Sequence, residues 1–418
     1  MRAKLTLVSA LVLGTLGGVF ATGCQTYDFE PVDPLAISQT TETRRIEARA
    51  AKPNLMLLVD TSGSMKDPVD PTDPDCKVSG VLCGDARPCN TTVCPTRWSE
   101  LQAAMQDFLS TSGTVARMGL ATYPDLKVDA SCGATASLSV GLPAAGDDAD
   151  ATLAGNAEKV KNKILAIKNS STTPGEQTPS GGTPTSLSLK YVGTLPELQT
   201  AERPDFVLLL TDGLPNCNGA YQPAYPDSGC FCTLSDCTYA KQIGCLDKNE
   251  SVASVQALRG KEIKTIVVGF GADFNSTTTS GQQGASTLNQ MADAGGFARE
   301  CVADSDCGTG DTCDKTKSLC NRRFYQAANK AELVAALKKI TEKVSTVDPC
   351  VVLFDADEAP SSQELVVVYL NGERVEPGAD TWSLQGNVLT FTGSSCSRIN
   401  GSTTANPVDI EVRAVQRR

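Results

Sequence analysis

The sequence predicts a doubly wound α/β fold, in which helices flank a mostly parallel sheet, followed by a small C-terminal all-β module. Three observations predict it. Apolar strand patterns alternate with helical patterns from Pro53 to Val347, which is typical of a parallel sheet covered on both faces. The runs "DFVLLLTDG" and "IKTIVVGFG" are continuously apolar, as the central strands of such sheets are. After Val347 the strand patterns are short and β-branched, which predicts a separate module over residues 348–418.

The N-terminal 23 residues have the features of a lipoprotein signal peptide. Arg2 and Lys4 precede the uncharged apolar run Leu5–Phe20, which is shorter than the roughly 20 residues of a membrane-spanning helix. The sequence "ATGC" resembles a bacterial lipobox, in which Cys24 becomes the first mature residue and carries lipid. Gln25, rather than Asp, follows it, and by analogy with the sorting rule of enteric bacteria this favours the outer membrane. The alternative is a plain signal peptide with an unmodified cysteine.

Residues 24–52 are predicted to be a polar tether after the lipidated cysteine, because they show no periodic apolar pattern. A flexible chain of this length reaches roughly 30 Å. The predicted elements of residues 53–347 then follow in chain order: strand "NLMLLVD", helix "RWSELQAAMQDFLST", strands "TVARMGLATYP" and "TASLSVGL", helices "DATLAGNAEKVKNKILAIK" and "PTSLSLKYVGTL", strands "DFVLLLTDG" and "IKTIVVGFG", and helices "STLNQMADAGG" and "AELVAALKKITEKV".

The C-terminal module is predicted from four β-branched segments. They are "CVVLFDADE", "ELVVVYLNGERVE", "NVLTFTG" and "PVDIEVRAV". The pair Asn371-Gly372 is a strong signal for a two-residue hairpin turn. Cys350 and Cys396, the cysteines of this module, are predicted to form a disulfide across it.

Composition excludes several classes of function. The chain has a net charge of -11 and its Lys and Arg residues form no run, so we expect no nucleic-acid partner. It contains no histidine, which excludes a Ser-His-Asp triad, a Cys-His pair and a histidine-ligated zinc. We therefore expect that the protein is not an enzyme; a metal-assisted hydrolase with a carboxylate base is the enzymatic alternative.

The cysteines predict disulfides in an oxidising compartment. Of the 17 cysteines, 16 remain once Cys24 is set aside, and no C-x-x-C spacing that would indicate a zinc site occurs. Most lie in three cysteine-rich insertions, near residues 66–97, 214–244 and 301–320. The middle cluster has an odd count of five when Cys245 is included, so Cys132 is predicted to pair into it.

Polar side chains lie at the ends of two predicted strands and in a loop before a predicted helix. Asp60, Ser62 and Ser64 alternate where "NLMLLVD" ends, Thr183 lies in "SGGTPTS", and Asp212 ends "DFVLLLTD". In open α/β sheets, binding sites form at the carboxyl ends of the strands, so these oxygen-bearing side chains are expected to converge there. Hydroxyl and carboxylate oxygens select Mg²⁺, Mn²⁺ or Ca²⁺ over zinc or copper.

The motifs "DTSGSM", "GGTPT" and "LTDG", in this order, resemble the three loops of a von Willebrand factor A domain with its metal-ion-dependent adhesion site. The resemblance implies that Asp60, Ser62, Ser64, Thr183 and Asp212 hold a divalent cation. It also implies an open coordination position that takes a carboxylate or another anion from a protein or polymer ligand. A single D-x-S-x-S motif on its own is more often a turn-capping sequence.

The insertions near residues 66–97 and 214–244 follow Ser64 and Asp212 directly, so they are expected to form a disulfide-hardened collar around the metal. The first contains Asp67, Asp70, Asp73 and Asp75. These carboxylates could bind a second Ca²⁺, but a solvated acidic loop is favoured because the sequence has no glycine-centred twelve-residue calcium loop.

The combination of lipobox, A-like domain, cysteine-rich insertions and β module resembles the outer-membrane adhesins of adventurous gliding motility in myxobacteria. This resemblance implies a surface-exposed, lipid-anchored adhesin that couples gliding machinery proteins of the outer membrane to the substratum. The alternative is a periplasm-facing scaffold that assembles an envelope complex through the same metal site.

Overall fold

The computed structural model describes most of the chain beyond the N-terminal region. It covers residues 41–48 and 52–415, except for 85, 127–131, 145–148, 200–203, 221–223, 228, 235, 272–273, 275–277, 309, 346–349, 354–359, 361, 387 and 403–405. The predicted signal peptide and the lipidation site Cys24 lie outside the described residues.

The described strands are numbered in chain order: β1 (Thr41–Ala48), β2 (Asn54–Asp60), β3 (Lys77–Val78), β4 (Val81–Leu82), β5 (Arg117–Tyr123), β6 (Asp205–Thr211), β7 (Ile263–Phe270), β8 (Cys313–Asp314), β9 (Leu319–Cys320), β10 (Tyr325–Ala327), β11 (Val351–Leu353), β12 (Val366–Leu370), β13 (Glu373–Val375), β14 (Trp382–Gln385), β15 (Val388–Phe391) and β16 (Val408–Val415). The described helices are α1 (Arg97–Ser112), α2 (Asp150–Ala166), α3 (Thr185–Val192), α4 (Lys248–Arg259), α5 (Thr279–Ala294), α6 (Lys330–Ser345) and α7 (Gly393–Asn400).

The central sheet has the strand order β10-β7-β6-β2-β5, and all its neighbouring strands are parallel. Side chains of β2 alternate between its faces, as the period of a strand requires. Leu57 and Val59 lie in one core with α1, α2 and α6, whereas Met56 and Leu58 lie in a second core with α3, α4 and α5. The predicted doubly wound α/β architecture is confirmed.

The winding of the sheet reverses at β2. β5 lies on one side of β2 and β6 on the other, so the carboxyl end of β2 is the topological switch point at which open α/β sheets bind ligands. Asp60 is the last residue of β2 and Thr211 is the last residue of β6. The fold therefore places the predicted metal residues at its usual binding position.

The predicted strand "TASLSVGL" is wrong. Over residues 135–142 the chain contacts the edge of β5 through a single bridge, between Val140 and Leu120. The Asn156 side-chain amide donates to the backbone oxygens of Met118, at 2.7 Å, and Gly141, at 2.9 Å. A helix side chain therefore occupies the Met118 carbonyl at the edge of β5, and residues 135–142 meet this edge only around Leu120.

The C-terminal module contains two antiparallel sheets, β1-β16-β12-β13 and β11-β15-β14. Asn371 and Gly372 both have positive φ, 54° and 78°, in the predicted hairpin between β12 and β13. The prediction that the module is all-β is wrong in one place, because α7 lies between β15 and β16. The Asp380 carboxylate accepts a hydrogen bond from the Ser394 backbone N–H at 3.0 Å, which satisfies one of the free N–H groups at the start of α7.

Part of the segment predicted to be a tether is a strand. β1 pairs antiparallel with β16 over eight residue pairs, from Thr41 with Val415 to Ala48 with Val408. The segment "TETRRIEA" lacks an apolar stripe, which is why periodicity does not identify it. The backbone groups along one side of β1 nevertheless pair with the edge of β16.

Eight disulfides join the described cysteines. The first insertion contains Cys76–Cys94 and Cys83–Cys89, and the third contains Cys301–Cys313 and Cys307–Cys320. In and around the second insertion the pairs are Cys132–Cys217, Cys230–Cys245 and Cys232–Cys237. Cys350–Cys396 crosses the C-terminal module. The predicted pairing of Cys132 into the middle cluster is confirmed, as is the Cys350–Cys396 bridge.

Candidate metal centre

Asp60 is held at the carboxyl end of β2 by bonds to both of its carboxylate oxygens. Its Oδ1 accepts a hydrogen bond from the Ser62 backbone N–H at 2.8 Å, and its Oδ2 accepts one from the Thr211 hydroxyl, also at 2.8 Å. The residue is fully buried. The last residue of the neighbouring strand therefore orients Asp60, a role for Thr211 that the sequence motif does not indicate.

The two serines connect the first loop to the third. After Ser62 the chain forms a 3₁₀ turn, Gly63–Lys66, that brings Ser64 back beside Ser62, with their hydroxyl oxygens 3.0 Å apart. The Ser64 hydroxyl donates to Asp212 Oδ1 at 3.0 Å. Four of the five predicted metal residues are thus joined in one continuous chain of hydrogen bonds.

Thr183 reaches the same edge through its loop backbone. The Gly63 N–H donates to the Gly181 carbonyl at 2.9 Å, which ties the second loop to the first. Thr183 is buried, and its N–H donates to Asn216 Oδ1 at 2.7 Å while its carbonyl accepts from the Asn216 N–H at 2.9 Å. Gly182 is needed here, because a Cβ atom at that position would lie 2.5 Å from Cys217 Sγ.

Arg97 is a second residue at this site that the sequence motifs do not indicate. Its Nη1 lies 2.8 Å from Asp212 Oδ2, and the side chains of the two residues are 10% and 0% exposed. Arg97 is the first residue of α1, which follows the first insertion. A single arginine at a helix start carries no signal in the sequence, because only the folded chain brings it to a carboxylate that is 115 residues away.

Burial and repulsion between carboxylates dominate the electrostatics of the site. The pKa of Asp60 is raised to about 7, mainly by burial and next by the charge of Asp212, while hydrogen bonds from Ser62 and Thr211 oppose the rise. Burial, followed by the charge of Asp60, raises the pKa of Tyr123 well above its usual value, so this phenol stays neutral. The donor set of hydroxyls and carboxylates fits a hard divalent cation, which would stabilise the ionised form of Asp60.

Two acidic side chains of the first insertion accept hydrogen bonds within its turns. Asp70 Oδ1 accepts from the Thr72 N–H at 2.8 Å, and Asp73 Oδ1 accepts from the Asp75 N–H at 2.9 Å. Within the part of the chain that the structure describes, sets of three or more acidic, histidine or cysteine side chains close enough to share an ion consist of cysteines alone. Those cysteines are in disulfides. The solvated acidic loop stays the favoured prediction for this segment.

Both insertions next to the site are fixed at their bases. In the first, the Arg97 N–H donates to the Asp67 carbonyl and the Val69 N–H donates to the Pro95 carbonyl, both at 3.0 Å. In the second, the Asp247 N–H donates to the Pro215 carbonyl at 2.8 Å. The insertions therefore begin and end beside the predicted metal residues.

A scan against protein-family models finds no match to this chain, and no curated protein matches it. Among solved structures, the pilus adhesin SpaC from Lactobacillus rhamnosus GG aligns at 12% identity over 88% of this chain and 40% of that chain, with a TM-score of 0.39. Manganese-loaded Plasmodium vivax TRAP protein aligns at 15% identity over 73% of this chain and 78% of that chain, with a TM-score of 0.36. The pilus adhesin RrgA from Streptococcus pneumoniae aligns at 9% identity over 90% and 57%, with a TM-score of 0.36.

This chain spans about two fifths of the length of SpaC. Likenesses with TM-scores of this size identify no function, so the resemblance to myxobacterial gliding adhesins still rests on residues and motifs alone. Among the described residues, no helix is both long enough and apolar enough to cross a membrane. Cation binding by Asp60, Ser62, Ser64, Thr183 and Asp212 stays a prediction.

Proposed function

We propose that this protein is a cell-surface, outer-membrane lipoprotein adhesin that binds an external ligand through a divalent cation. The observation that carries the proposal is the hydrogen-bonded chain from Asp60 through Ser62 and Ser64 to Asp212 at the switch point of a parallel sheet. The ligand is a protein or polymer that supplies a carboxylate or another anion. The cation is Mg²⁺, Mn²⁺ or Ca²⁺.

The residues of the site have distinct roles in this proposal. The hydroxyls of Ser62 and Ser64, together with Thr183 and Asp212, would hold the cation, and Asp60 contributes charge and fixes the first loop. A bound divalent cation with few anionic ligands supplies uncompensated positive charge that attracts a carboxylate. The Ser62 N–H and the Thr211 hydroxyl keep the Asp60 carboxylate in one orientation, so the first loop is already organised before ligand arrives.

The insertions would provide the surface that chooses the ligand. Large hydrophobic side chains that are exposed in the described residues all belong to the three insertions: Val78, Val81, Leu82 and Val93 in the first, Tyr225, Leu234, Tyr239 and Ile243 in the second, and Val302 in the third. In this proposal these exposed apolar side chains contact a protein ligand. Disulfides keep these short segments ordered without a large core.

The location and cellular role rest on sequence features. Lipid on Cys24 would anchor the chain in the outer membrane, and proteins of an outer-membrane gliding machinery would couple it to movement. The alternative is a periplasm-facing scaffold that uses the same metal centre to assemble an envelope complex. Protease treatment of intact cells separates the two, because an adhesin must be cleaved from outside and a periplasmic scaffold must be protected.

Attachment of cells that carry Asp60→Ala tests the proposal. We expect attachment to be lost at normal protein abundance, because the first loop loses the Asp60 charge and the hydrogen bonds that the carboxylate accepts from Ser62 and Thr211. Asp205→Ala is the matched control: Asp205 is also a buried aspartate, but it lies at the opposite end of β6, where it accepts from Asn54 Nδ2 at 2.7 Å. Wild-type attachment by the Asp60→Ala protein would disprove a metal-dependent adhesion mechanism.

A further inference from the structure

The two carboxylate oxygens of Asp212 contact different kinds of group, a hydroxyl and a guanidinium. Its Oδ1 accepts from the Ser64 hydroxyl at 3.0 Å, on the side of the predicted cation ligands. Its Oδ2 is paired with Arg97 Nη1 at 2.8 Å, and the Asp212 side chain is fully buried. A guanidinium group therefore neutralises one of the two carboxylates of the metal centre from within the protein.

The cap of α1 and a hydrogen bond to the first insertion hold Arg97 in this position. Thr96 and Ser99 form a reciprocal cap at the start of α1, with the Ser99 N–H donating to Thr96 Oγ1 at 3.1 Å and the Thr96 N–H donating to Ser99 Oγ at 2.9 Å. The Arg97 N–H donates to the Asp67 carbonyl at the base of the first insertion. Gly271, which follows β7, lies beside the Arg97 side chain, since a Cβ there would be in ordinary contact with Nε at 3.5 Å.

The charge of Arg97 has opposite effects on two binding steps. Two carboxylates alone would balance a divalent cation, whereas two carboxylates and one guanidinium leave a loaded centre with one positive charge in excess. Since the groups are buried, screening by water is weak and this difference is large. We propose that Arg97 is an internal counter-ion of the metal centre, which weakens cation binding and strengthens the attraction of the loaded centre for an external carboxylate.

This inference rests on the proposed function, because it requires a cation at the centre. Titration of the purified, disulfide-bonded protein with Mn²⁺, followed by electron paramagnetic resonance of the free ion, tests it. We expect Arg97→Gln to bind Mn²⁺ more tightly, on the order of tenfold, since a nearby positive charge is removed. Weaker or unchanged Mn²⁺ binding by Arg97→Gln would overturn the inference. Weaker binding would mean that the guanidinium helps by orienting Asp212, and unchanged binding would mean that it has no effect on cation affinity.

Arg299→Gln is the matched control. Arg299 forms an ion pair of similar burial with Asp311 in the third insertion, with side-chain exposures of 12% and 5% and an Nη1–Oδ2 distance of 3.1 Å. The Arg299→Gln substitution also removes one positive charge, but from a different ion pair, so Mn²⁺ affinity should stay at the wild-type value. An equal change in Arg299→Gln would mean that net charge, not the Arg97 contact, sets the affinity, and would overturn the inference.

Asp60→Ala separates a failure of the inference from a failure of the proposed function. If the wild-type protein binds no Mn²⁺, or if Asp60→Ala binds it equally well, the proposed function fails and this inference fails with it. If Asp60→Ala abolishes binding but Arg97→Gln does not tighten it, only the inference fails.

Arg97→Lys guards against a folding defect in Arg97→Gln, which leaves the buried Asp212 charge without its partner. The lysine keeps the positive charge, and we expect its Mn²⁺ affinity to remain within a factor of about three of wild type. Tenfold tighter Mn²⁺ binding by Arg97→Lys would overturn the inference, because the positive charge would then not be the cause of the weaker Mn²⁺ affinity of the wild-type protein.

The second half of the inference is tested with glutarate as the carboxylate probe. Glutarate that displaces water from protein-bound Mn²⁺ lowers the relaxation rate of water protons. We expect several-fold weaker glutarate binding by Mn²⁺-loaded Arg97→Gln than by the wild-type and Arg299→Gln proteins, since the centre has lost its excess positive charge. Equal or tighter glutarate binding would overturn this half.

Discussion

At the scale of single residues, Asp60 makes the metal-free protein sensitive to pH. Its pKa is raised from 3.8 to about 7 in the folded chain, so the folded state holds this proton more tightly than the unfolded state. The stabilising contribution is fully present below about pH 4 and is lost as the pH rises through 7. In chelator, we expect the urea midpoint to fall between pH 5.5 and 7.5 more steeply in wild type than in Asp60→Asn.

Divalent cation should reverse this trend, because it stabilises the ionised carboxylate. The rise in midpoint on adding Mg²⁺ should therefore be larger at pH 8 than at pH 6. Asn keeps an oxygen that can accept from the Ser62 N–H but carries no charge, so it isolates the titration from the hydrogen bond. Parallel pH profiles for the two proteins would contradict the assignment to Asp60.

Ser64 is the hydroxyl that connects the first loop to the third. Ser64→Ala removes its contacts with both Ser62 Oγ and Asp212 Oδ1, and we expect Mn²⁺ affinity to fall by about 10–100-fold. Ser397→Ala is the control, since Ser397 is an exposed serine of α7 whose hydroxyl donates to the Gly393 carbonyl. Calorimetric titration measures both, and an equal affinity in the two variants would exclude Ser64 from the centre.

Local motifs in the sequence indicate some residues of the candidate centre, but they do not indicate the residues that only the fold brings to it. Asp60, Ser62 and Ser64 are neighbours in the chain, so their spacing is visible. Thr211 and Arg97 act only across the fold, through contacts that span 151 and 115 residues. Their partners follow from strand order and helix placement, which a single sequence does not encode as a pattern.

At the scale of elements, the Cys132–Cys217 disulfide joins the segment after β5 to the second insertion beside the metal centre. It closes a loop of 85 residues, whereas Cys232–Cys237 closes one of 5. In the chain-entropy account the longer loop contributes about 4 to 5 kcal/mol and the shorter about 2 kcal/mol. We expect the double serine variant at Cys132 and Cys217 to lose more unfolding free energy than that at Cys232 and Cys237.

Denaturant unfolding of the two double variants measures this difference. Mn²⁺ affinity should also fall in the Cys132/Cys217 variant, because Asn216, which holds the Thr183 backbone, is next to Cys217. Equal stabilities and equal affinities would show that the second loop is held by its hydrogen bonds without this disulfide.

Elements with strong apolar periodicity are the ones that the sequence predicts. Buried strands such as β2 and β6 have continuous apolar runs, and both occur as predicted. The errors involve segments whose structure depends on residues elsewhere in the chain. The Asn156 side-chain amide binds the backbone carbonyls of Met118 and Gly141 beside residues 135–142, and β1 is a strand because it pairs with β16. Neither partner can be identified from local pattern.

At the scale of the whole molecule, the proposed lipid on Cys24 would determine where the candidate metal centre acts. We expect Cys24→Ala to move the protein from the membrane fraction to the soluble periplasmic or secreted fraction, because the lipid is its proposed anchor. Immunoblots of cell fractions measure this, with Cys232→Ala/Cys237→Ala as a control that alters cysteines without altering the anchor. Continued membrane association of Cys24→Ala would show that another segment or partner retains the protein.

The β1–β16 ladder also determines what lies between the proposed anchor and the metal centre. The chain that leaves Cys24 joins the C-terminal module through β1 before it enters the central sheet at β2. Deletion of residues 41–48 should expose the edge of β16 and weaken the module, because eight residue pairs are lost. Deletion of the preceding eight residues, 33–40, shortens the tether equally and keeps the ladder.

Limited proteolysis compares the two deletions, with antibodies against the C-terminal module and against the central domain. We expect faster cleavage in the C-terminal module for the deletion of 41–48 alone, while Mn²⁺ affinity stays at the wild-type value in both, because the metal residues belong to the central sheet. Equal cleavage rates would indicate that β16 is stabilised by β12 without β1. A loss of Mn²⁺ affinity on deletion of 41–48 would instead mean that the module and the metal centre are coupled, so that force on the anchor reaches the binding site.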